Sequence, residues 1–486
     1  MLLLLLSIFL LTLGWLIKVN RTPNGLPLPP GPTGTWFYGV SKQLRGVVPW
    51  QQYLKWSEHF QSPIISFLVY NRRVVVLNDH VAVHDLLNKR TNIYSDRPKS
   101  WMYHDLCARG DTVFNISSLD PRHRQYRKML QTGLSAHAME SYWPGMDAAA
   151  RTLVEDFRRD PSAFQDHLRK SVVAIIMKVA YGYTITENDQ FIRAAEELAK
   201  ISGAAMAPGR WLVDYYPLLR FLPSWLPFHR QAQEWKEKLE YLSSIPFDWV
   251  KKQMASEKFE PSFTSRLLSN EAPKVNEDMV KWAGNGLYGG AADTVISAMI
   301  SFVLLMAVYP AVQKKAQAEI DEVTDGRARQ PGCADKADAV YLVAVMKEVL
   351  RYAPVANIAL PHRATEEDEY RGYRIPKDAT VIPNTWAIMR DASLYPEPHK
   401  FDPERFMEAG SAMPDPRTFA FGYGRRTCPG IQFAKTFLLL MMSTILSNYD
   451  IGLPVDSAPP EIDFTAGITS HVKPFKVTIT SRSVFV

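Results

Sequence analysis

The residues best placed to do chemistry stand in Phe421-Gly-Tyr-Gly-Arg-Arg-Thr-Cys428-Pro-Gly430. A lone cysteine is more often a small buried hydrophobe than a ligand, so its neighbours decide the matter. Phe421, Gly422 and Gly424 predict a tight turn that passes close to a flat macrocycle, because glycine accepts dihedrals and approaches that a Cβ forbids. Pro429 suits the first turn of a helix, which the apolar run Ile431 to Met442 continues. Helix amides aimed at the sulfur favour thiolate over thiol. The expectation is a metal-ligating thiolate presented on a tight loop beside a flat group.

Gly289-Gly-Ala-Ala-Asp293-Thr294 lies inside a long apolar segment, Asn276 to Tyr309, with Glu277 and Asp278 in its first turn and Pro310 ending it. Paired glycines cost a helix about 1 kcal/mol each relative to alanine, so they mark a place where something approaches the backbone or the helix opens. An acid and a hydroxyl beside that place can relay protons. Glu348-Val-Leu-Arg351 sets acid and base three apart on one helical face, and Arg405 supplies a second arginine.

These groups need a large scaffold, and 486 residues at 47% hydrophobic provide one, which excludes a disordered chain. Cys107, Cys333 and Cys428 are too few for a disulfide framework, which points to a reducing, cytosol-facing compartment. A net charge of +6 without a basic tail argues against nucleic acid. Met1 to Ile17 carries no charge and is rich in leucine, which predicts a transmembrane anchor over 1–17. Lys18 and Arg21 behind it keep the rest cytosolic. Residues 18–34 read as a basic, proline-rich hinge, and 35–486 as the catalytic domain. A helix over Pro49 to His59 and two strands between Ile64 and Leu77, joined at Tyr70-Asn-Arg72, are followed by nearly two hundred helical residues from Pro121. The class is mainly α. Trp211 to Phe228 breaks the pattern with prolines and aromatics and reads either as a buried loop or as one dipping into a membrane.

Phe421, Gly424, Arg426, Cys428 and Gly430 together resemble the haem-binding signature of the cytochrome P-450 family, and the other motifs follow in that family's order over essentially the whole chain. The resemblance implies a large helical domain around a buried haem b, with small β-sheets and one N-terminal transmembrane helix. It makes Cys428 the iron ligand and Arg426 a propionate partner, for which a guanidinium fork is well shaped. Glu348, Arg351 and Arg405 match the structural triad behind the haem. Arg127 matches a propionate arginine, His123 replaces the usual tryptophan of that motif, and His362 and Arg109 resemble further propionate contacts. Gly290-Ala-Ala-Asp293-Thr294 is similar to the oxygen-activation motif, with Ala291 where glycine is usual.

The implied reaction inserts one atom of O2 into a C–H or C=C bond, with thiolate ligation favouring O–O cleavage. No Gly-x-Gly-x-x-Gly unit and no spare length remain for a flavin or nicotinamide domain, so electrons must come from a separate NADPH-dependent flavoprotein reductase, with cytochrome b5 as a second donor. The reductase is expected at a face bearing Arg122, Arg124, Lys128, Arg425 and Lys435. A haem-thiolate isomerase or dehydratase that needs no O2 is one rival reading, and a haem sensor or electron carrier another. Motifs around Tyr370 and Asn384 resemble membrane-anchored fungal members, which implies an endoplasmic-reticulum protein acting on a terpenoid or other secondary-metabolite intermediate. The runner-up substrate is an aromatic alkaloid precursor or xenobiotic, with Asp105 or Asp111 pairing with an amine.

Overall fold

The computed structural model describes residues 25–186, 189–257, 259–269, 276–407, 413–455, 458 and 460–482. The expected anchor over 1–17 and the start of the hinge lie outside the described residues. In chain order the longer helices are α1 (Pro49–His59), α2 (Pro121–Gly133), α3 (Trp143–Arg159), α4 (Phe164–Tyr181), α5 (Gln190–Met206), α6 (Pro227–Ala255), α7 (Glu277–Val308), α8 (Pro310–Val323), α9 (Val340–Tyr352) and α10 (Ile431–Asn448). The chain is mainly α, as expected.

Helix α7 forms the axis of the core. The Asn276 side chain accepts from Asp278 N at 2.9 Å and caps it, and Glu277 and Asp278 face its positive end. Every residue from Val295 to Ala307 is buried, which a helix apolar on all sides requires. By length and composition α7 is apolar enough to cross a membrane, but 72% of its apolar window is buried inside the fold, which fits a core helix. It packs against α4, α9 and α10. Gly289 and Gly290 leave its winding unbroken. The helix therefore does not open there; Gly290 instead makes room for Phe114, whose ring would lie 3.2 Å from a Cβ at that position.

Strands β1 (Ile64–Val69) and β2 (Arg72–Leu77) form the expected early hairpin, turning at Tyr70 with φ 52°. With β3 (His362–Arg363) and β6 (Thr380–Pro383) they make a sheet of order β1-β2-β6-β3, in which β2 and β6 run parallel. Strands β4 (Asp368–Tyr370) and β5 (Tyr373–Ile375), and β7 (Tyr449–Gly452) and β8 (Thr478–Ser481), form two-stranded ribbons.

One buried ionic network ties these helices to the segment that precedes the cysteine loop. Arg351 donates from Nε and Nη2 to the Glu348 carboxylate, both at 2.7 Å. Arg405 Nε adds a bond to Glu348 Oε1 at 3.2 Å, and Asp402 N another at 2.8 Å. The remaining guanidinium hydrogens collect the carbonyls of Met389, Pro398 and Lys400 for Arg351, and of Pro396 and Lys400 for Arg405. Glu348 and Arg351 are fully buried. Arg351→Ala takes both of its charged bonds from the buried Glu348 carboxylate and the Arg351 donor from the carbonyls of Met389 and Pro398, so it should cost about 3–5 kcal/mol in urea unfolding. Arg351→Lys should recover little, because an ammonium cannot bond the carboxylate at two points.

Candidate active site

The loop carrying Cys428 is clamped from below. Tyr423 is buried with its hydroxyl 2.9 Å from Thr385 Oγ1, and Gly424 N donates to Asn88 Oδ1 at 2.8 Å. Gly424 takes φ 54°, and a Cβ there would sit 2.2 Å from the Leu87 carbonyl. Gly422 also takes a positive φ, 75°, but a Cβ there would meet nothing closer than 3.4 Å. Cys428 N donates to Phe421 O at 2.7 Å, closing the loop, and Gly430 N donates to the Cys428 sulfur at 3.4 Å. Burial pushes the Cys428 thiol up, against the pull of that amide and of the Arg127 charge. Winding of α10 begins at Ile431 with Gly430 as its N-cap, so Pro429 stands ahead of the helix and not in its first turn. The Cys428-Pro-Gly430 turn has to double back to bring the amide onto the sulfur.

Cys107 and Cys333 are buried among apolar side chains, with Cys107 Sγ facing the Ala232 carbonyl and Cys333 Sγ facing Met146. Burial raises both thiols, that of Cys107 to about 12. Among the described residues, neither sulfur accepts from a backbone amide as Cys428 does from Gly430.

A cluster of half-buried arginines and buried histidines lies near the cysteine loop. Arg426 reaches the carbonyls of Ser95 (2.8 Å) and Ile116 (2.6 Å), and burial followed by the charge of Arg127 lowers its pKa to about 10. Arg97 holds the carbonyls of Leu360 and Pro361, both at 2.7 Å, and burial followed by Arg426 lowers it to about 9. His362 donates from Nδ1 to the Tyr94 carbonyl at 2.6 Å; burial and then Arg97 hold it at about 3. His123 on α2 is held at about 4 by burial and then by Arg426, Arg127 and Arg97. Burial also lowers Arg127. Arg97 Nε and His123 Nε2 have no partner among the described residues.

Arg109 is not part of this cluster. It bonds Glu240 at 3.3 Å and lies 4.8 Å from the Trp282 ring centroid, between α6 and α7. Sequence reasoning missed Arg97, which sits in an Arg-Pro-Lys stretch without periodic signal and meets its partners across a separation of 263 residues.

On α7, Thr294 Oγ1 donates to the carbonyls of Gly290 (2.9 Å) and Ala291 (3.3 Å). Asp293 is half-exposed and accepts from His471 Nε2 at 3.2 Å. Burial raises the Asp293 carboxyl, but the hydrogen bond and charge of His471 and a hydrogen bond from Thr469 outweigh it and leave the pKa lowered. The His471 contact was not legible in the sequence either.

The Cys428 loop, the arginines clustered near it and the acid–alcohol pair on α7 are together the features of a haem-thiolate enzyme. The cytochrome P-450 family profile matches residues 29–479, and the chain belongs to that family. It is similar to the cytochrome P-450 monooxygenase claR of Ampulloclitocybe clavipes, 37% identical over 470 residues covering 94% of this chain and 87% of the relative. Cytochrome P-450 monooxygenase 208 of Postia placenta is 34% identical over 492 residues, covering 98% and 94%. Tryptamine 4-monooxygenase of Psilocybe cyanescens is 33% identical over 474 residues, covering 94% and 93%. The protein is a cytochrome P-450 monooxygenase.

The residues present fit the haem that this family carries. Cations buried with incomplete hydrogen bonding are costly by themselves, and two propionate carboxylates are the complement they lack. Gly424→Ala should destabilise the protein by several degrees in Tm, well beyond Gly422→Ala. Both replacements strain a left-handed backbone, at about 1–2 kcal/mol, but only the first drives a Cβ into a backbone carbonyl.

Proposed function

We propose that this monooxygenase inserts one oxygen atom from O2 into a lipophilic small molecule, with Cys428 as the residue that would supply the thiolate ligand of haem b and electrons drawn from NADPH through a separate flavoprotein reductase. The observation that carries the reading is the Gly430 amide set against the only cysteine sulfur among the described residues that lies beside the cationic cluster. Haem supplies the oxygen activation and transfer. Arg97, His123, Arg127, His362 and Arg426 hold its propionates, and Phe421 and Gly430 shape the thiolate loop. Glu348, Arg351 and Arg405 keep a structural role. Thr294 holds a proton donor at the groove and Asp293 passes protons from solvent toward it. Retention of that pair speaks against an isomerase or dehydratase that uses no O2.

The substrate reading rests on the pocket walls. Leu287 is buried, and Ala291, Ala292, Val355 and Ile358 pack against the same core, a lining that binds chiefly through buried apolar area at roughly 25 cal/mol per Å². The acids that an amine substrate would require are committed elsewhere: Asp105 pairs with Arg220 and Asp111 with Arg122, all near the surface. A terpenoid-like scaffold is therefore preferred over an aromatic alkaloid precursor.

Attachment to the endoplasmic-reticulum membrane by residues 1–17 is supported by an apolar rim. Trp36, Leu218, Phe221 and Trp225 are 64–84% exposed, and Phe37 stacks on Tyr216 at 5.6 Å, joining the two segments. The 211–228 segment is thus part buried, through Val213 and Tyr215, and part presented outward. For the reductase, and for cytochrome b5 as a second donor, Arg124 and Lys128 remain exposed, whereas Asp111 and Asp120 already neutralise Arg122.

The ferrous carbon monoxide complex should show the long-wavelength band of thiolate ligation, and Cys428→His should lose it. A histidine-like spectrum in both proteins overturns the assignment. Arg97→Ala should speed haem transfer to apomyoglobin by roughly ten- to a hundredfold, since one charge-assisted bond contributes about 1.5–3 kcal/mol, while Arg109→Ala leaves transfer unchanged. Equal effects would remove the distinction between the two arginines. Spin-state shifts with terpenes and none with indole amines are expected, and the reverse order would replace the substrate class.

A further inference from the structure

The C-terminal hairpin meets α7 at the acid of the proton pathway. Phe464 and Val472 bridge, His471 N donates to Thr465 Oγ1 at 3.0 Å, and Thr465 N returns a bond to the His471 carbonyl at 2.8 Å. Ser470, at the inner end of this hairpin, is buried and anchored on three sides. Its amide donates to the Val355 carbonyl at 2.8 Å, its hydroxyl accepts from Asn357 at 2.7 Å, and its carbonyl accepts from Ser297 Oγ. Asp293 and Ser297 stand one turn apart on the same face of α7. The hairpin thus grips two successive turns of the helix, with Ser470 on Ser297 and the flanking Thr469 and His471 on the Asp293 carboxylate.

The division of labour between these contacts is informative. Ser470 already fixes the hairpin through buried bonds to three partners, so a half-exposed His471–Asp293 pair contributes little further to folding. What the pair does determine is where the Asp293 carboxylate points. His471 Nε2 holds it at 3.1–3.2 Å, with Thr469 beside it on the same loop, and the charge of Arg169 on α4 also acts on it. Released from the hairpin, the carboxylate is free to turn toward Arg169 and water.

We infer that His471 is a positioning residue that aims the Asp293 carboxylate and so couples proton delivery at α7 to the C-terminal hairpin. This rests on the role given to Asp293 above and extends it to a second element. Residues Thr465 to Ile468 at the tip of the hairpin are exposed, and a substrate pressing on them acts on the same loop that holds the acid.

The test needs no known substrate. Holoenzyme with reductase and NADPH reduces O2 by two electrons and two protons to peroxide, or by four electrons and four protons to two waters, and the second outcome demands well-directed protons. His471→Ala should raise the peroxide-to-water ratio about threefold, His471→Gln, which keeps an N–H donor, should restore it, and His471→Ala should add nothing in an Asp293→Asn background. Amide hydrogen exchange over 464–472 in the same holoenzymes should stay within about twofold of wild type, because Ser470 still holds the hairpin. A large rise in exchange, or an effect of His471→Ala that persists without the Asp293 carboxylate, assigns His471 a merely structural part and overturns the inference. Thr294→Ala serves as the control. If it raises peroxide and His471→Ala does not, the hairpin inference alone fails; if wild type lacks the thiolate band, the haem assignment fails first.

Discussion

The carboxylate of Glu348 is the point on which the rest of the architecture depends. Burying one charge so deeply is tolerable only because two guanidinium groups and a backbone amide reach it within 3.2 Å. The same guanidinium groups hold carbonyls from Met389 to Lys400, a stretch with little regular structure. A segment of that kind has few backbone bonds of its own to define its path, and the arginines supply them. The network therefore fixes the path of a stretch that would otherwise have few contacts to define it.

The cationic cluster is the opposite electrostatic case. Glu348 is satisfied within the protein, whereas Arg97, Arg127 and Arg426 lie close together with their pKa values lowered by burial. A site like this is poor in free energy until an anion arrives, and binding energy then becomes folding energy. One polar network is therefore complete in the bare chain, and the other is complementary to a ligand.

Much of this was legible in the sequence because its determinants are local. Phe421 to Gly430, Glu348-x-x-Arg351, and the caps and prolines bounding α1 and α7 are read within one turn or loop. The readings that shifted depend on separations a local pattern does not encode. Arg97 joins the cluster only because β3 brings Leu360 to His362 beside it. Arg109 is drawn to Glu240 and Trp282 by the packing of α6 on α7. The Asp293–His471 contact spans 178 residues. Pro429 falls two residues ahead of the first helical residue, because the preference of proline for helix starts does not fix which residue begins the winding, and α7 stays continuous through both glycines, with Phe114 taking the space beside Gly290 alone.

The rim made by Trp36, Leu218, Phe221 and Trp225 has a consequence for handling the molecule. An apolar surface formed by two distant stretches belongs to the folded body and survives removal of the leading segment. A chain begun at Gly25 keeps those four side chains on its surface, an exposed apolar patch of the kind that promotes self-association in plain buffer and dispersal with detergent.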